Sequence, residues 1–108
     1  MTARAMWSDA VIAESDHTIL VEGNQYFPVE SLMSQFFERS ESTTFCTWKG
    51  QASSYHIVVG EDRNVDSAWY YEDPYEAASA IKGYVAFWKG VKVSGVNADT
   101  QEILPPRL

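Results

Sequence analysis

Hydrophobic and polar residues alternate with a period of two through much of the first two thirds of the chain. This period is typical of strands that bury one face. Gly23-Asn24 lies between two such segments, and both residues tolerate the positive φ angles of a tight hairpin turn. The pattern therefore predicts antiparallel strands over residues 3–7, 11–15, 18–22, 25–27, 52–59 and 65–71.

The stretches between these strands predict turns and loops. Residues 29–38 have only approximate helical spacing, so we expect a single helical turn there followed by extended chain. The polar segments 39–44 and 61–64 are expected to form loops, because they lack both periodicities.

The most clearly marked helix start lies at Asp73. Asp73, Pro74 and Glu76 resemble a capping box, and good helix formers continue to Gly83. We therefore predict a short α-helix of about two to three turns. After it, residues 84–93 predict a last hairpin around a Lys-Gly turn.

The length of the chain limits its organisation. A chain of 108 residues supports one hydrophobic core and is too short for two. We expect a single, mainly β domain over residues 1–95 and a C-terminal tail over residues 96–108. Apolar runs stay well below the roughly 20 residues that span a bilayer, and residues 1–8 lack the layout of a secretory signal. A cytoplasmic protein without a membrane partner is therefore expected.

Charge and cysteine content exclude several classes of site. The formal charge is −7 and the eight basic residues are scattered, so nucleic acid is not expected as a partner. The single cysteine, Cys46, excludes an internal disulfide framework and zinc sites built from paired cysteines. Because phosphate-binding loops and metalloprotease motifs are also missing from the sequence, we expect no cofactor and no metal. The oligomeric state stays open.

Aromatic residues are unusually frequent. The chain carries four Trp, six Tyr and five Phe, and each such ring buries about 150–250 Å² when packed. About half of them would fill so small a core, and the others indicate a pocket or a partner surface. Trp69, Tyr70 and Tyr71 place rings on both faces of one predicted strand, so either both faces are covered or one face is a site.

The segment around Cys46, Trp48 and Lys49 has two interpretations. In the first, Cys46 and Trp48 belong to the core and Lys49 is solvated. In the second, Lys49 binds an anion at the mouth of a pocket, beside the Trp48 ring. A catalytic Cys46 would need a nearby base, for which His56 is the one plausible candidate in the sequence.

Polar residues at the predicted Gly23 turn also have two interpretations. Glu22 either accepts hydrogen bonds from the turn backbone or, if it is buried beside Lys49 or Arg4, contacts a ligand or acts as an acid–base group. Asn24 and Tyr26 follow it at alternate positions.

The order of five segments along the chain is informative, namely residues 12–15, 21–28, 46–52, 68–71 and 81–87. In this order they resemble the bacterial family called domain of unknown function 427. That resemblance implies a β-tent-like architecture, in which two antiparallel sheets lean together along one edge with a cleft between them. The family is also described as nucleotidyltransferase-like, but this sequence lacks the converging carboxylates that such chemistry needs for Mg²⁺. Family members typically have Pro where this chain has Thr47.

The leading hypothesis is a small binding domain whose inter-sheet cleft holds a small ligand, either planar or anionic. Aromatic rings would stack on the ligand, an ammonium would pair with negative charge, and polar groups would orient it. The predicted site residues are Trp48, Trp69, Tyr71, Lys49, Glu22, Asn24 and Tyr26. The alternatives are an enzyme that uses Cys46 in redox or acyl chemistry and a protein-interaction module that exposes its surplus aromatic residues.

Overall fold

The computed structural model describes residues 2–95 and 101–106, which form ten strands in two sheets. This confirms the mainly β class. Three 3₁₀ segments, Val29–Ser31, Ser34–Phe36 and Glu76–Ile81, connect strands. The strands are β1 Ala3–Trp7, β2 Ala10–Ser15, β3 Ile19–Val21, β4 Asn24–Pro28, β5 Phe37–Cys46, β6 Gly50–Val59, β7 Asp62–Tyr70, β8 Tyr84–Phe87, β9 Lys92–Ser94 and β10 Gln101–Ile103. No helical segment of the described residues has the length and apolar character that a membrane crossing requires.

The strands are divided unequally between the sheets. The small sheet has the order β2-β1-β9, and the large sheet has the order β10-β3-β4-β8-β7-β6-β5. Neighbouring strands are antiparallel, as predicted, except that β10 runs parallel to β3. Strand β10 belongs to the predicted C-terminal tail, of which residues 96–100 and 107–108 lie outside the described residues. The division into a domain over 1–95 and a tail over 96–108 stays a prediction.

The tip of the β3–β4 hairpin lies one residue earlier than predicted. Glu22 and Gly23 are the residues with positive φ, at 52° and 80°, and Asn24 already begins β4. Two consecutive positive φ angles suit a tight hairpin, because the twist of this turn matches that of the flanking strands. Glu22 therefore occupies the turn itself.

The loop predicted over residues 39–44 is wrong, because this segment lies inside β5. Strand β5 is the edge of the large sheet, where polar side chains remain solvated on both faces, so the segment needs no apolar alternation. A register shift between Arg39 and Thr43 marks a bulge in its pairing with β6. The loop predicted over residues 61–64 is also wrong in extent, because β7 already begins at Asp62.

The helical segment after β7 is present but has 3₁₀ rather than α geometry. It spans Glu76–Ile81, follows Tyr75 without a side-chain cap and is kinked at Ala78. Asp73 does not cap it, because the Tyr75 amide donates a hydrogen bond to the Lys49 carbonyl at 3.0 Å and this contact fixes the preceding chain against the β5–β6 turn. Ala78 and Ile81 are buried against the large sheet.

The predicted last hairpin is also wrong. A turn with positive φ does occur at Lys89 and Gly90, but β8 lies between β4 and β7 in the large sheet, whereas β9 pairs with β1 in the small sheet. Both edges of β8 are already hydrogen-bonded, so the returning chain crosses to the other sheet.

Two hydrophobic clusters cover the two faces of the large sheet. Ala68 and Tyr70 face the small sheet, and Trp69 and Tyr71 face away from it, so rings on both sides of β7 are packed. The cluster between the sheets contains Ala3, Ala5, Ile12, Ala13, Phe27, Ile57, Ala68, Val85 and Phe87. The cluster on the outer face contains Ile19, Val21, Tyr26, Ala52, Tyr71, Ala78, Ile81 and Ala86.

Candidate functional site

A pocket of about 220 Å³ opens on the outer face of the large sheet. Ser54 and Trp69 are directly paired across β6 and β7, so their side chains project from the same face of the sheet. Lys49 lies in the turn before β6, and Trp88 follows β8. The lining residues are Thr44, Lys49, Ser54, Trp69, Tyr71 and Trp88.

The prediction that Trp69 and Tyr71 line a cleft between the sheets is wrong. These rings alternate with Ala68 and Tyr70, and it is the latter two that face the small sheet. The small residues Ala3, Ala5 and Ala13 of β1 and β2 belong to the same cluster as Ala68 and Tyr70. The core therefore fills the space between the sheets. A separate depression of about 330 Å³ is lined by residues of both sheets, and Asn24 is the one predicted site residue among them. Asn24 is therefore separated from the pocket.

Lys49 forms the basic end of the pocket. Its Nζ lies 2.6 Å from Oε1 of Glu22, as the interpretation of Glu22 as a partner of Lys49 requires. The Lys49 side chain is 9% exposed, whereas that of Glu22 is 41% exposed, so the cation is the buried partner. The Nζ also lies 5.4 Å from the Trp48 ring centroid and 5.5 Å from the Tyr71 ring centroid. Both aromatic faces therefore stabilise the positive charge.

The ammonium of Lys49 stays protonated at neutral pH. Burial by itself lowers the pKa of Lys49, but the hydrogen bond to Glu22 and the electrostatic effects of Tyr26 and Tyr71 outweigh it, so the pKa lies above its ordinary value. Lys49 therefore supplies a positive charge and hydrogen-bond donors at this end of the pocket.

Two indole rings meet at nearly a right angle in the pocket wall. Trp69 and Trp88 have ring centroids 6.0 Å apart and an interplanar angle of 82°. Trp69 Nε1 donates to the hydroxyl of Tyr26 at 3.0 Å, and Trp88 Nε1 donates to the carbonyl of Asp66 at 2.7 Å. Both indoles are thus attached to the large sheet through their N–H groups, with Trp69 half-buried and Trp88 52% exposed.

Tyr26 supports the site from below. It is fully buried, and its ring meets that of Trp69 edge to face with centroids 6.1 Å apart. Tyr26 thus lies in the outer core and does not line the pocket. Its part in orienting a ligand stays a prediction, and the contact that the structure gives its hydroxyl is the one with Trp69.

Trp48 and Cys46 lie beside the pocket. The Trp48 ring lines a different depression of about 520 Å³, together with Tyr75 and Pro105. Cys46 is half-buried at the end of β5, opposite Gly50, and packs against the outer cluster. The proposed base, His56, lies at the other end of the β5–β6 pair, where its Nδ1 accepts a hydrogen bond from the Asp66 amide at 3.0 Å. His56 is therefore not placed to deprotonate Cys46.

Three lining residues were missed by sequence reasoning. Thr44 was assigned to a loop, and Trp88 was assigned to a hairpin that does not form. Ser54 shares a strand face with Ala52 by alternation, but its position beside Trp69 depends on the β6–β7 register, which the sequence does not specify. In the part of the chain that the structure describes, no three His, Cys, Asp or Glu side chains converge into a metal-binding group.

Alkaline conditions are expected to destabilise the protein through Tyr26. Burial, only partly offset by Lys49 and by the hydrogen bond from Trp69, raises the pKa of Tyr26 from 10.0 to about 12. A raised folded-state pKa contributes stability that is complete below the unfolded pKa and is lost as the pH rises through the folded one. The free energy of unfolding should thus fall by about 2–3 kcal/mol between about pH 10 and pH 12. Urea denaturation across this range measures the fall.

The matched control for this effect is Tyr26→Phe, which cannot ionise. The fall should be smaller in this variant, although it should persist in part because the pKa values of Lys49, Tyr55 and Tyr71 are also raised and have the same sign of effect. An identical pH dependence in both proteins would show that Tyr26 ionises freely in the folded state.

Most of the chain matches a known protein family. Residues 1–99 match the model of a family described as Domain of unknown function (DUF427). None of the curated proteins compared with the chain matches it. The family match covers most of the chain, including every residue that lines the pocket.

Proposed function

Because the chain belongs to the domain of unknown function 427 family, whose description assigns no activity, we propose a function from the pocket itself: the domain binds a small planar ligand between its two indole rings and Lys49. The observation that carries this proposal is the perpendicular pair Trp69–Trp88, anchored next to a buried ammonium in an open hollow.

The size of the pocket limits the ligand. Sites for drug-sized molecules usually enclose about 300–1,000 Å³. The volume here is about 220 Å³, so a compound with one or two fused rings is expected. Such a ligand would present its plane to one indole and its edge to the other, since aromatic pairs favour offset-stacked and edge-to-face arrangements.

The pocket lining contains few polar groups, and their positions would orient a bound ligand. Lys49 supplies N–H donors at one end, and the hydroxyls of Thr44 and Ser54 lie along the wall. Ser54 is nearly buried, with 8% exposure, and so its hydroxyl has little access to bulk water. An apolar hollow with a small number of fixed polar groups is the usual form of a small-molecule site.

Binding is favoured over catalysis by the chemistry of the lining. Lys49 is kept protonated by Glu22, and both Cys46 and His56 lie outside the pocket. Among the described residues, no His, Asp or Glu side chain lines the pocket beside these hydroxyl groups to activate them as a base. The pocket is thus suited to holding a molecule rather than transforming it.

The proposal is tested with nicotinamide and indole-3-carboxamide as one-ring and two-ring probes. Ligands of about ten non-hydrogen atoms gain only a few kcal/mol, so dissociation constants of about 0.1–10 mM are expected. Titration of the ¹⁵N-labelled protein to about 20 mM probe should shift the side-chain N–H resonances of Trp69 and Trp88. Trp88→Ala should weaken binding by about tenfold, because it removes one of the two indole rings that contact the ligand.

The control variant is Trp7→Phe, on the small sheet and outside the pocket lining. It should bind both probes as the original protein does. The proposal is wrong if neither probe moves the Trp69 and Trp88 resonances, or if Trp88→Ala binds with unchanged affinity while its thermal unfolding shows it to be folded.

A further inference from the structure

The Lys49–Glu22 pair makes the basic end of the pocket electrically neutral. The two groups lie 2.6 Å apart, close enough for a charge-assisted hydrogen bond. Among the residues that the structure describes, Lys49 is the one charged residue that lines the pocket, and Glu22 reaches it from the β3–β4 turn without lining the pocket itself. A ligand therefore meets an ammonium whose charge is already compensated from behind.

The ammonium nevertheless keeps donors for a ligand. It carries three N–H groups, of which the hydrogen bond to Glu22 engages one, and the Tyr71 hydroxyl lies close enough to interact with another. The Lys49 side chain is only 9% exposed, so water has little access to the remaining donors. A carbonyl oxygen in the pocket would accept one of them without introducing charge.

An ionised ligand group would be less favourable. A carboxylate loses strong hydration when it enters a hollow of this kind, and the loss is recovered only if an unpaired cation receives it. The next cation, Lys89, lies outside, 4.9 Å from the Trp88 ring centroid, and donates to the Val65 carbonyl at 3.1 Å. Lys89 is exposed, so its attraction for an anion is screened by water and salt.

From these charges, and resting on the proposed function, we infer that the pocket selects neutral planar ligands with a hydrogen-bond acceptor and that Glu22 is the residue that sets this selectivity. The ligand class is that of heteroaromatic carboxamides and related ring carbonyl compounds. Glu22 acts through Lys49 and does not touch the ligand. It is therefore a specificity-determining residue that lies outside the pocket.

The test compares neutral and anionic probes of the same shape. Nicotinamide is paired with nicotinate, and indole-3-carboxamide with indole-3-carboxylate, in titrations followed at the Trp69 and Trp88 indole resonances. The original protein should favour each carboxamide by at least about tenfold, and Glu22→Gln should lower this preference by at least about tenfold. This substitution keeps the size and the acceptor oxygen of the side chain while removing its charge.

The matched control is Glu30→Gln, an exposed substitution in the Val29–Ser31 turn that changes the net charge equally. It should leave the preference as it is in the original protein. Equal or tighter binding of the carboxylates to the original protein, or an unchanged preference in Glu22→Gln, would overturn the inference.

A readout independent of ligand shape separates this inference from the proposed function. Iodide, titrated against the same indole resonances, should reach half of its effect at an about tenfold lower concentration in Glu22→Gln than in the original protein and in Glu30→Gln. If no aromatic probe binds any variant, the proposed function fails, and the iodide titration still decides whether Glu22 controls the charge of the pocket. Identical iodide titrations in all three proteins would count against that control.

Discussion

Replacing Tyr26 with alanine is expected to lower the free energy of unfolding by about 3–5 kcal/mol. Tyr26 is among the largest fully buried side chains, lies in the outer cluster and accepts the N–H of Trp69. Its removal leaves a cavity below the pocket and frees the Trp69 indole, so binding of planar probes should weaken at the same time. Urea denaturation followed by circular dichroism gives the change in stability.

Two substitutions separate the contributions in this prediction. Tyr26→Phe keeps the ring and removes only the acceptor of Trp69 Nε1, which should cost about 1 kcal/mol because Trp69 is half-buried. Tyr75→Ala removes a tyrosine that is 50% exposed and should cost much less than Tyr26→Ala. A Tyr26→Ala variant as stable as Tyr75→Ala would contradict the central position assigned to Tyr26.

The second large effect is an asymmetry between the two partners of the ion pair. Glu22→Ala should destabilise the protein by about 2 kcal/mol, because it leaves a nearly buried ammonium without its carboxylate. This lies below the cost of breaking a fully buried pair, since Glu22 is 41% exposed. Lys49→Met should cost less than about 1 kcal/mol, because Met refills the volume of the lysine stem and the freed carboxylate is hydrated.

The double variant Glu22→Ala/Lys49→Met completes the cycle. It should be more stable than Glu22→Ala alone, since removal of the lysine also removes the uncompensated charge. Thermal unfolding and urea denaturation of the four proteins measure the coupling. Equal costs for the two single substitutions would show that the burial of Lys49 does not govern the energetics of the pair.

The elements with strict alternation or marked turns could be predicted from the sequence. Strand β1 has the predicted bounds, and the opposite faces of Ala68 and Trp69 follow from the period of two. The sequence offered Lys49 and Arg4 as alternative partners of a buried Glu22 and did not choose between them; the structure places Glu22 beside Lys49 but leaves its carboxylate 41% exposed.

The remaining features depend on tertiary context. Whether the Trp69 face or the Ala68 face meets the small sheet depends on how the sheets pack, and alternation within β7 is the same in both cases. Polar β5 residues resemble a loop because an edge strand needs no buried face. Trp88 lines the pocket where the chain leaves β8 and crosses to the small sheet, and local turn chemistry at Lys89 does not distinguish a crossing from a hairpin.

The open edge of β5 has a consequence for self-association. The free edge of a strand is a template to which a strand of another molecule can add. The exposed ring of Phe45, with 65% exposure, would favour such strand addition at β5. The charged side chains of Glu38, Arg39 and Glu41 and the nearby bulge disfavour a continuous intermolecular ladder. The polar residues of β5 thus have two effects. They remove the alternation by which a strand is predicted from sequence, and they disfavour aggregation through the exposed edge of this ten-residue strand.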